Sequence, residues 1–347
     1  MTPMGEPVGQ REAGWRDGLR DVDDSLFDGR EQQPVESEYA SLTYEVTDRI
    51  ARITFNRPHR GNTITADTPR ELVEVVERAD LDPEVHVILL SGRGKGFCGG
   101  YDLGIYAEAD GSETAPRGPS TTGTVIDPIV QARNHNPHGQ WDPMVDYAMM
   151  SRFTRAFSCL MHADKPTVAK IHGFCVAGGT DIALHCDQII AADDTKIGYP
   201  PTRVWGVPSA GLWAHRLGDQ RAKRLLFTGD CITGEQAAEW GLAVESAPAD
   251  QLDDRTEELV ARIARMPTNQ LMMVKLALNS ALDTQGVSTS AMISTVFDGV
   301  SRHTREGYAF QQRAATVGFR EAVRERDEVF GDHKRNAMKD RSAGPTD

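Results

Sequence analysis

No stretch of the chain is apolar for long enough to cross a membrane, which takes about 20 consecutive apolar residues. Nor is there an excess of positive charge. Thirty-eight lysines and arginines face 51 aspartates and glutamates, a net charge of −13, which argues against nucleic acid or an anionic membrane as the main partner. Cysteine is too sparse for a disulfide framework. Cys98, Cys159, Cys175, Cys186 and Cys231 are odd in number and form no C-x-x-C pair, so neither disulfides nor a thiolate metal site is expected. The first residues, M-T-P-M-G-E-P-V-G-Q, contain no apolar h-region, which argues against a secretory signal. Reduced thiols and a cytoplasmic location are the simplest expectation.

What is there is a soluble composition. Of 347 residues, 39% are hydrophobic and 26% charged, enough for a sizeable core. The charge is uneven. Residues 1–40 carry ten acids against four arginines, a balance of −6, and few large apolar residues, so a disordered tail is expected there and again over 333–347.

Order is expected from about Leu42. L-T-Y-E-V and I-A-R-I-T-F read as short strands, and a helix follows over Thr68–Ala79 with Leu72, Val75 and Val76 on one face. V-H-V-I-L-L-S-G is a continuous apolar run suited to a buried strand. A helix near Val145–Met161, the strand T-V-A-K-I-H-G, a helix from Gly178 and the strand Q-I-I-A-A-D come next. From about Gly211 the pattern is almost all helical. Residues 104–143, rich in Pro, Gly, Ser and Thr, read as an irregular insert.

Gly94–Gly99, G-K-G-F-C-G, has the form of a dinucleotide fingerprint but lacks its context, a first strand of a βαβ unit and a helix opening at the last glycine. Two glycine-rich corners carry more: G-F-C-G-G-Y-D-L (96–103) and G-F-C-V-A-G-G-T-D-I-A-L-H-C-D (173–187). Each follows an apolar strand. Glycine lets a ligand approach the backbone closely, and a helix start presents unpaired N–H groups with the positive end of its dipole. Close packing of a strand-to-helix turn is the alternative reading of Gly178 and Gly179.

With F-N-R-P-H-R-G-N (55–62), K-I-G-Y-P (196–200) and R-L-G-D-Q-R-A-K-R-L-L-F-T-G-D-C-I-T-G-E-Q-A-A-E-W-G-L (216–242) in this order, the sequence resembles the crotonase superfamily, the enoyl-CoA hydratase/isomerase family, from about Leu42 to Asp332. The resemblance implies an α/β fold, a spiral of repeated β-β-α units over 41–265, and a C-terminal helical lid and oligomerisation region over 266–332. It implies an acyl-CoA substrate, no separate cofactor, and a homotrimer or hexamer. It also implies an oxyanion hole made by the amides of Tyr101 and Gly178. His59, Arg60, Gly61, Gly99, Asp102 and Leu103 would line the coenzyme A groove, with Tyr199 and Arg203 near the acyl group.

The sequence departs from the family where hydratases place two glutamates. Hydration needs a base for water and an acid for the α-carbon. The first position is Asp181; the second falls on Pro201, which transfers no proton. A dienoyl-CoA isomerase branch also has aspartate at the first position, but its further acids would fall on Pro201 and Ser209. Asp181 therefore reads either as a proton carrier or as a first-turn acid complementing the helix dipole. His185, one turn on, reads as a core histidine or as its partner. Asp187 reads as a turn-holding acid, Trp205 and Trp213 as wall or core, and Asp146 and Tyr147 as residues that could approach the site from the insert. The lid lysine that meets coenzyme A phosphates in the family corresponds to Glu325, with Arg324 and Arg326 as substitutes. Three readings stay open: enoyl-CoA hydration or isomerisation, acyl-CoA hydrolysis or decarboxylation, and a catalytically weak thioester-binding protein.

Overall fold

The computed structural model describes residues 39–106 and 121–331. Nearly all of the expected acidic tail, the middle of the insert and the last sixteen residues lie outside the described residues. Tyr39 and Ala40, placed at the end of the tail from sequence, are tied to the helix Thr68–Leu81: the Tyr39 hydroxyl donates to Glu74 (3.3 Å) and the Ala40 amide to Glu71 (2.8 Å).

Among the described residues, nine strands form two sheets. β1 (Leu42–Thr47) and β2 (Ile50–Phe55) are antiparallel; β3 (Val87–Gly92), β4 (Thr167–Ile171), β6 (Gln188–Ala192) and β9 (Glu245–Ala247) continue the sheet in parallel, in the order β1-β2-β3-β4-β6-β9. β5 (Phe174–Val176), β7 (Lys196–Gly198) and β8 (Cys231–Ile232) make a smaller sheet. Two successive turns of the spiral each give one strand to each sheet, β4 then β5 and β6 then β7.

The continuous apolar runs are explained by burial on both faces. Along β3, Ile88 and Leu90 enter the main core with Leu72, Val75 and Phe157. Val87 and Leu89 point the other way, onto Leu252, Val260 and Ala264 of the helix Leu252–Ala264. The main core alone holds over ten fully buried aliphatic side chains; at roughly 1.5–3 kcal/mol each, their burial outweighs any single polar contact described below.

The insert is not irregular throughout. Pro128–Asn134 is a helix, capped by Asp127, whose carboxylate accepts from the Ile129 amide at 3.0 Å. Pro143–Phe157 opens in the same way on Asp142 and Met144. After the spiral come the helices Thr268–Thr284, Val287–Arg302, Arg305–Val317 and Phe319–Glu328. No helix among the described residues is long and apolar enough to cross a membrane.

Candidate active site

The two glycine corners meet. Cys98 pairs with Cys175 in a parallel bridge, and the Val176 amide donates to the Cys98 carbonyl at 3.1 Å. Tyr101 lies opposite Ile64 in a second parallel bridge. There the Ile64 amide donates to Gly100 (2.8 Å) and the Asp102 amide to Ile64 (2.9 Å). Both bonds use the neighbours of Tyr101, so its own N–H points away from Ile64.

On the other corner, Ala177 is held at φ 52°, ψ −128°, a conformation that strains a residue with a Cβ. It turns the chain into the helix Gly178–His185, whose first amides have no acceptor within the helix. Among the described residues, neither the Tyr101 nor the Gly178 amide meets a backbone or side-chain acceptor. Gly100, at φ +92°, allows the approach: a Cβ there would lie 2.7 Å from the Ala177 Cβ and 3.3 Å from the Gly178 nitrogen. At Gly178 a Cβ would lie 2.8 Å from both the Tyr101 ring and Ile64 Cδ1. Gly179 is a matter of packing, since its Cβ would fall 2.5 Å from the Cys98 carbonyl oxygen.

A cavity of ≈ 140 Å³ opens beside these corners. Tyr101, Phe153, Tyr199 and Trp205 give it aromatic walls, and Gly99, Leu103 and Ala177 bring the corner backbone to its edge. Its polar side comes from two regions that the sequence reading did not assign to the site. The insert helix and the residue after it supply Gln131 and His135; the helix Val287–Arg302 supplies Asp298 and Arg302.

Three buried carboxyls surround this space, in different states. Asp181 is 3% exposed and accepts from the Ser209 amide at 2.9 Å. Burial pushes its carboxyl up to about 7; Asp298 adds to the rise, and the Ser209 amide opposes it. Asp298, 8% exposed, is also pushed up by burial, against the pull of Arg302. Asp146 goes the other way. Burial would raise it, but His303 (2.9 Å), Arg302 (3.3 Å) and the Trp141 indole (2.7 Å) outweigh that and hold it ionised. His185 contacts the backbone carbonyl of Asp181 rather than its carboxylate (2.6 Å), and burial lowers its ring to about 4, so it is a neutral core histidine. Asp298 and Asp146 line the cavity; Asp181 stands behind its wall.

Other residues singled out from sequence fall elsewhere. Tyr199 lines the cavity, but Arg203 does not: its side chain is 2% exposed and spent on Thr228 (3.0 Å), Asp230 (3.5 Å) and Asp327 (3.0 Å). It ties the C-terminal helix to the spiral and offers nothing to an acyl group. Asp102 faces Arg57 (3.0 Å) and Arg60 (3.1 Å), which with Thr63 hold it well ionised against the opposing effect of burial. It braces the corner from behind and does not reach the cavity. His59 and Arg60 are exposed on a 3₁₀ turn, and the Gly61 carbonyl accepts from the Gly99 amide at 2.9 Å. Trp205 is wall and Trp213 core. Asp187 holds Thr167 (2.7 Å) and Lys275 (2.9 Å). Glu325 pairs with Arg313 (2.7 Å), and Arg324 with Glu321 and Glu328; Arg326 alone of the lid candidates lines the cavity. Among the described residues no group of three or more His, Cys, Asp or Glu is placed to hold a metal ion.

Known proteins share this arrangement of chain. A crystal structure of an enoyl-CoA hydratase from Mycobacterium smegmatis superposes with a TM-score of 0.79 at 68% identity, covering 86% of this chain and 96% of that one. The hydroxycinnamoyl-CoA hydratase-lyase of Pseudomonas fluorescens is 29% identical over 66% of this chain and 74% of its own. The 1,2-epoxyphenylacetyl-CoA isomerase of Escherichia coli is 29% identical over 68% of this chain and 82% of its own. The family model for enoyl-CoA hydratase/isomerase matches residues 45–122 and 142–315, well over half of the sequence and both glycine corners. By sequence, by spiral and by the meeting of those corners, the chain belongs to the enoyl-CoA hydratase/isomerase family of acyl-CoA enzymes.

Proposed function

We propose that the protein hydrates or isomerises an enoyl-CoA whose acyl part carries a ring or a comparably compact group. The observation that carries this reading is the pair of unengaged amides, Tyr101 and Gly178, at the edge of a cavity with aromatic walls. The thioester oxygen lies between them. Negative charge develops there as the enolate forms, and fixed N–H groups stabilise it without reorganising. Asp181, buried behind the cavity wall beside Asp298, is assigned the transfer of a proton to or from the acyl carbons; burial holds its carboxyl at about 7, where it exchanges a proton at working pH. Gly61, Gly99 and Leu103, with His59 and Arg60 at the outer rim, border the coenzyme A groove; Arg326, paired with Asp327 at 2.8 Å, is the lid cation at the cavity.

The size of the cavity supports the acyl class. An apolar cavity of about 150 Å³ holds one benzene ring, and ≈ 140 Å³ walled by Tyr101, Phe153, Tyr199 and Trp205 suits one ring here. The two relatives named for hydroxycinnamoyl-CoA and epoxyphenylacetyl-CoA act on ring-bearing thioesters, as their names state. Thioester hydrolysis is the second reading, favoured by the apolar Pro201 where the resemblance places a second acid.

The exposed apolar side chains of two C-terminal helices support self-association as a trimer or hexamer. Met273, Leu276 and Leu278 on one, and Met292 and Phe297 on the other, are each more than half exposed.

The test is a panel of crotonyl-, hexenoyl- and cinnamoyl-CoA, followed by enoyl absorbance and by release of free thiol. Loss of absorbance without thiol, fastest for cinnamoyl-CoA, is expected. Thiol release moves the assignment to hydrolysis. No reaction and no measurable thioester binding would sink the reading.

A further inference from the structure

Resting on that reading, we propose that Asp298 of the helix Val287–Arg302 is the second acid–base group of the site, the partner that Pro201 cannot be.

Gly206–Ser209 joins the Pro200–Arg203 turn to the helix Ala210–Leu217. The Val207 amide donates to Asp298 (3.1 Å) and the Ser209 amide to Asp181 (2.9 Å). Amides two residues apart on one short segment therefore hold both carboxyls, and Asp298 is near enough to Asp181 to disfavour its charge. Asp298 lines the cavity beside Tyr101, Tyr199 and Pro201.

The helix is brought close by Gly299, where a Cβ would lie 2.8 Å from the Cβ of Asp146. The groups facing Asp298 are Arg302 on its own helix (3.7 Å), Asp146 from the helix Pro143–Phe157 and Asp181 from the helix Gly178–His185. The phenols of Tyr101 and Tyr199 face the same carboxyls, and burial holds both well above their usual range. Arg302 is shared with Asp146, and His303 and Trp141 close the far side of that carboxylate. Asp146 is thus fully occupied as the counter-ion, and Asp298 is left facing the cavity.

Two buried carboxyls held close together disfavour each other's charge, so the pair favours carrying one proton between them. That is the state hydration requires. The ionised carboxylate takes a proton from water as the water oxygen bonds the β-carbon. The double-bond pair moves into the enolate held by the two amides. The protonated carboxyl then gives its proton to the α-carbon. One water is added, and the two carboxyls have exchanged states, which proton exchange with solvent restores.

The experiment compares the unchanged protein with Asp298→Asn, Asp298→Glu and Asp181→Asn on the best enoyl-CoA of the panel. Turnover is followed from pH 5 to 9, with thioester affinity and melting temperature measured alongside. Asparagine keeps an oxygen to accept from Val207 but can neither take up nor release the proton. Expected are a bell-shaped profile for the unchanged protein, a fall in kcat of at least about 100-fold for Asp298→Asn, a single-limbed residual profile, affinity within threefold, and partial rescue by Asp298→Glu. A loss below tenfold, or a large loss with the bell intact, overturns the proposal and leaves Asp298 a positioning residue. Full activity in Asp181→Asn overturns the pairing. No turnover by the unchanged protein on any thioester overturns the function reading and this inference with it.

Discussion

Neutralising Asp181 should make the protein more stable while stopping the reaction. The carboxyl is held at about 7 against an ordinary 3.8, with burial as the main cause and Asp298 the second. Between these two values the unfolded chain releases a proton that the folded chain keeps, so the stability this group lends is full below pH 3.8 and is lost as pH rises to about 7. Above that the charged carboxyl costs the fold on the order of 4 kcal/mol, at about 1.4 kcal/mol per tenfold change in proton affinity. Asp181→Asn removes this cost and keeps an oxygen to accept from Ser209. A gain of up to about 4 kcal/mol at pH 8 and about 2 kcal/mol at pH 5 is expected, or roughly 8 °C and 4 °C in melting temperature for a chain of this size. Differential scanning calorimetry across that range reads it directly. A variant that melts at or below the unchanged protein at pH 8 would refute the reasoning and return Asp181 to the role of a first-turn acid that stabilises its helix.

Gly178→Ala places a methyl 2.8 Å from the Tyr101 ring and parts the two amides; a loss of about 10²–10³ in kcat with little change in thioester affinity is expected from steady-state kinetics. Arg203→Ala breaks a buried pair with Asp230 and the tie to Asp327. It should lower stability by about 3–5 kcal/mol in urea titration and leave acyl-CoA affinity within threefold, because Arg203 does not line the cavity. Met273→Glu with Leu278→Glu charges an apolar face in which the two side chains are 58% and 67% exposed; light scattering should find an oligomer for the unchanged protein and a monomer for the variant, and an oligomer of unchanged mass in the variant would move the interface elsewhere.

What could be read from sequence was what local chemistry dictates. V-I-L-L and Q-I-I-A-A are strands because parallel central strands bury both faces, and no other arrangement needs so continuous an apolar run. The corners were visible because only glycine fits at Gly100 and Gly179. The helix Pro128–Asn134 has too few residues for a hydrophobic period to register. Its Asp-Pro opening, repeated at Asp142–Pro143, is the signal that should have been used. Asp298 carries no such mark. In I-S-T-V-F-D-G-V-S-R (293–302) an acid on a helix reads as a solvated face, and what buries it lies about 90 residues away at Val207 and about 150 away at Asp146. The one local hint is Gly299 beside it, a small residue where two helices touch. Arg203 failed in the opposite direction: its place next to Pro201 in sequence suggested the acyl group, but the 3₁₀ turn Pro200–Arg203 sends its side chain away from the cavity.

Pro201 itself has a structural use that explains its place. Its carbonyl accepts from both Val204 (3.0 Å) and Trp205 (2.7 Å), which folds the turn and swings Trp205 into the cavity wall. There the indole stacks on His135 (5.7 Å between centroids) and Phe319 (6.3 Å), joining the insert to the last helix. On the proposal above, an aromatic wall stands where the resemblance places an acid, and the acid comes instead from the helix Val287–Arg302. Pro201→Glu alone should then give no gain in hydration, since it adds a third carboxyl beside Asp181 and Asp298 while Arg302 is already shared by Asp146 and Asp298, and it should melt lower. In the Asp298→Asn background the same substitution supplies the missing proton carrier and should recover at least about tenfold of the lost turnover. Recovery in the single variant instead would mean that the protein lacks a second acid altogether, and that Asp298 serves only to hold Arg302 and the Gly206–Ser209 segment in place.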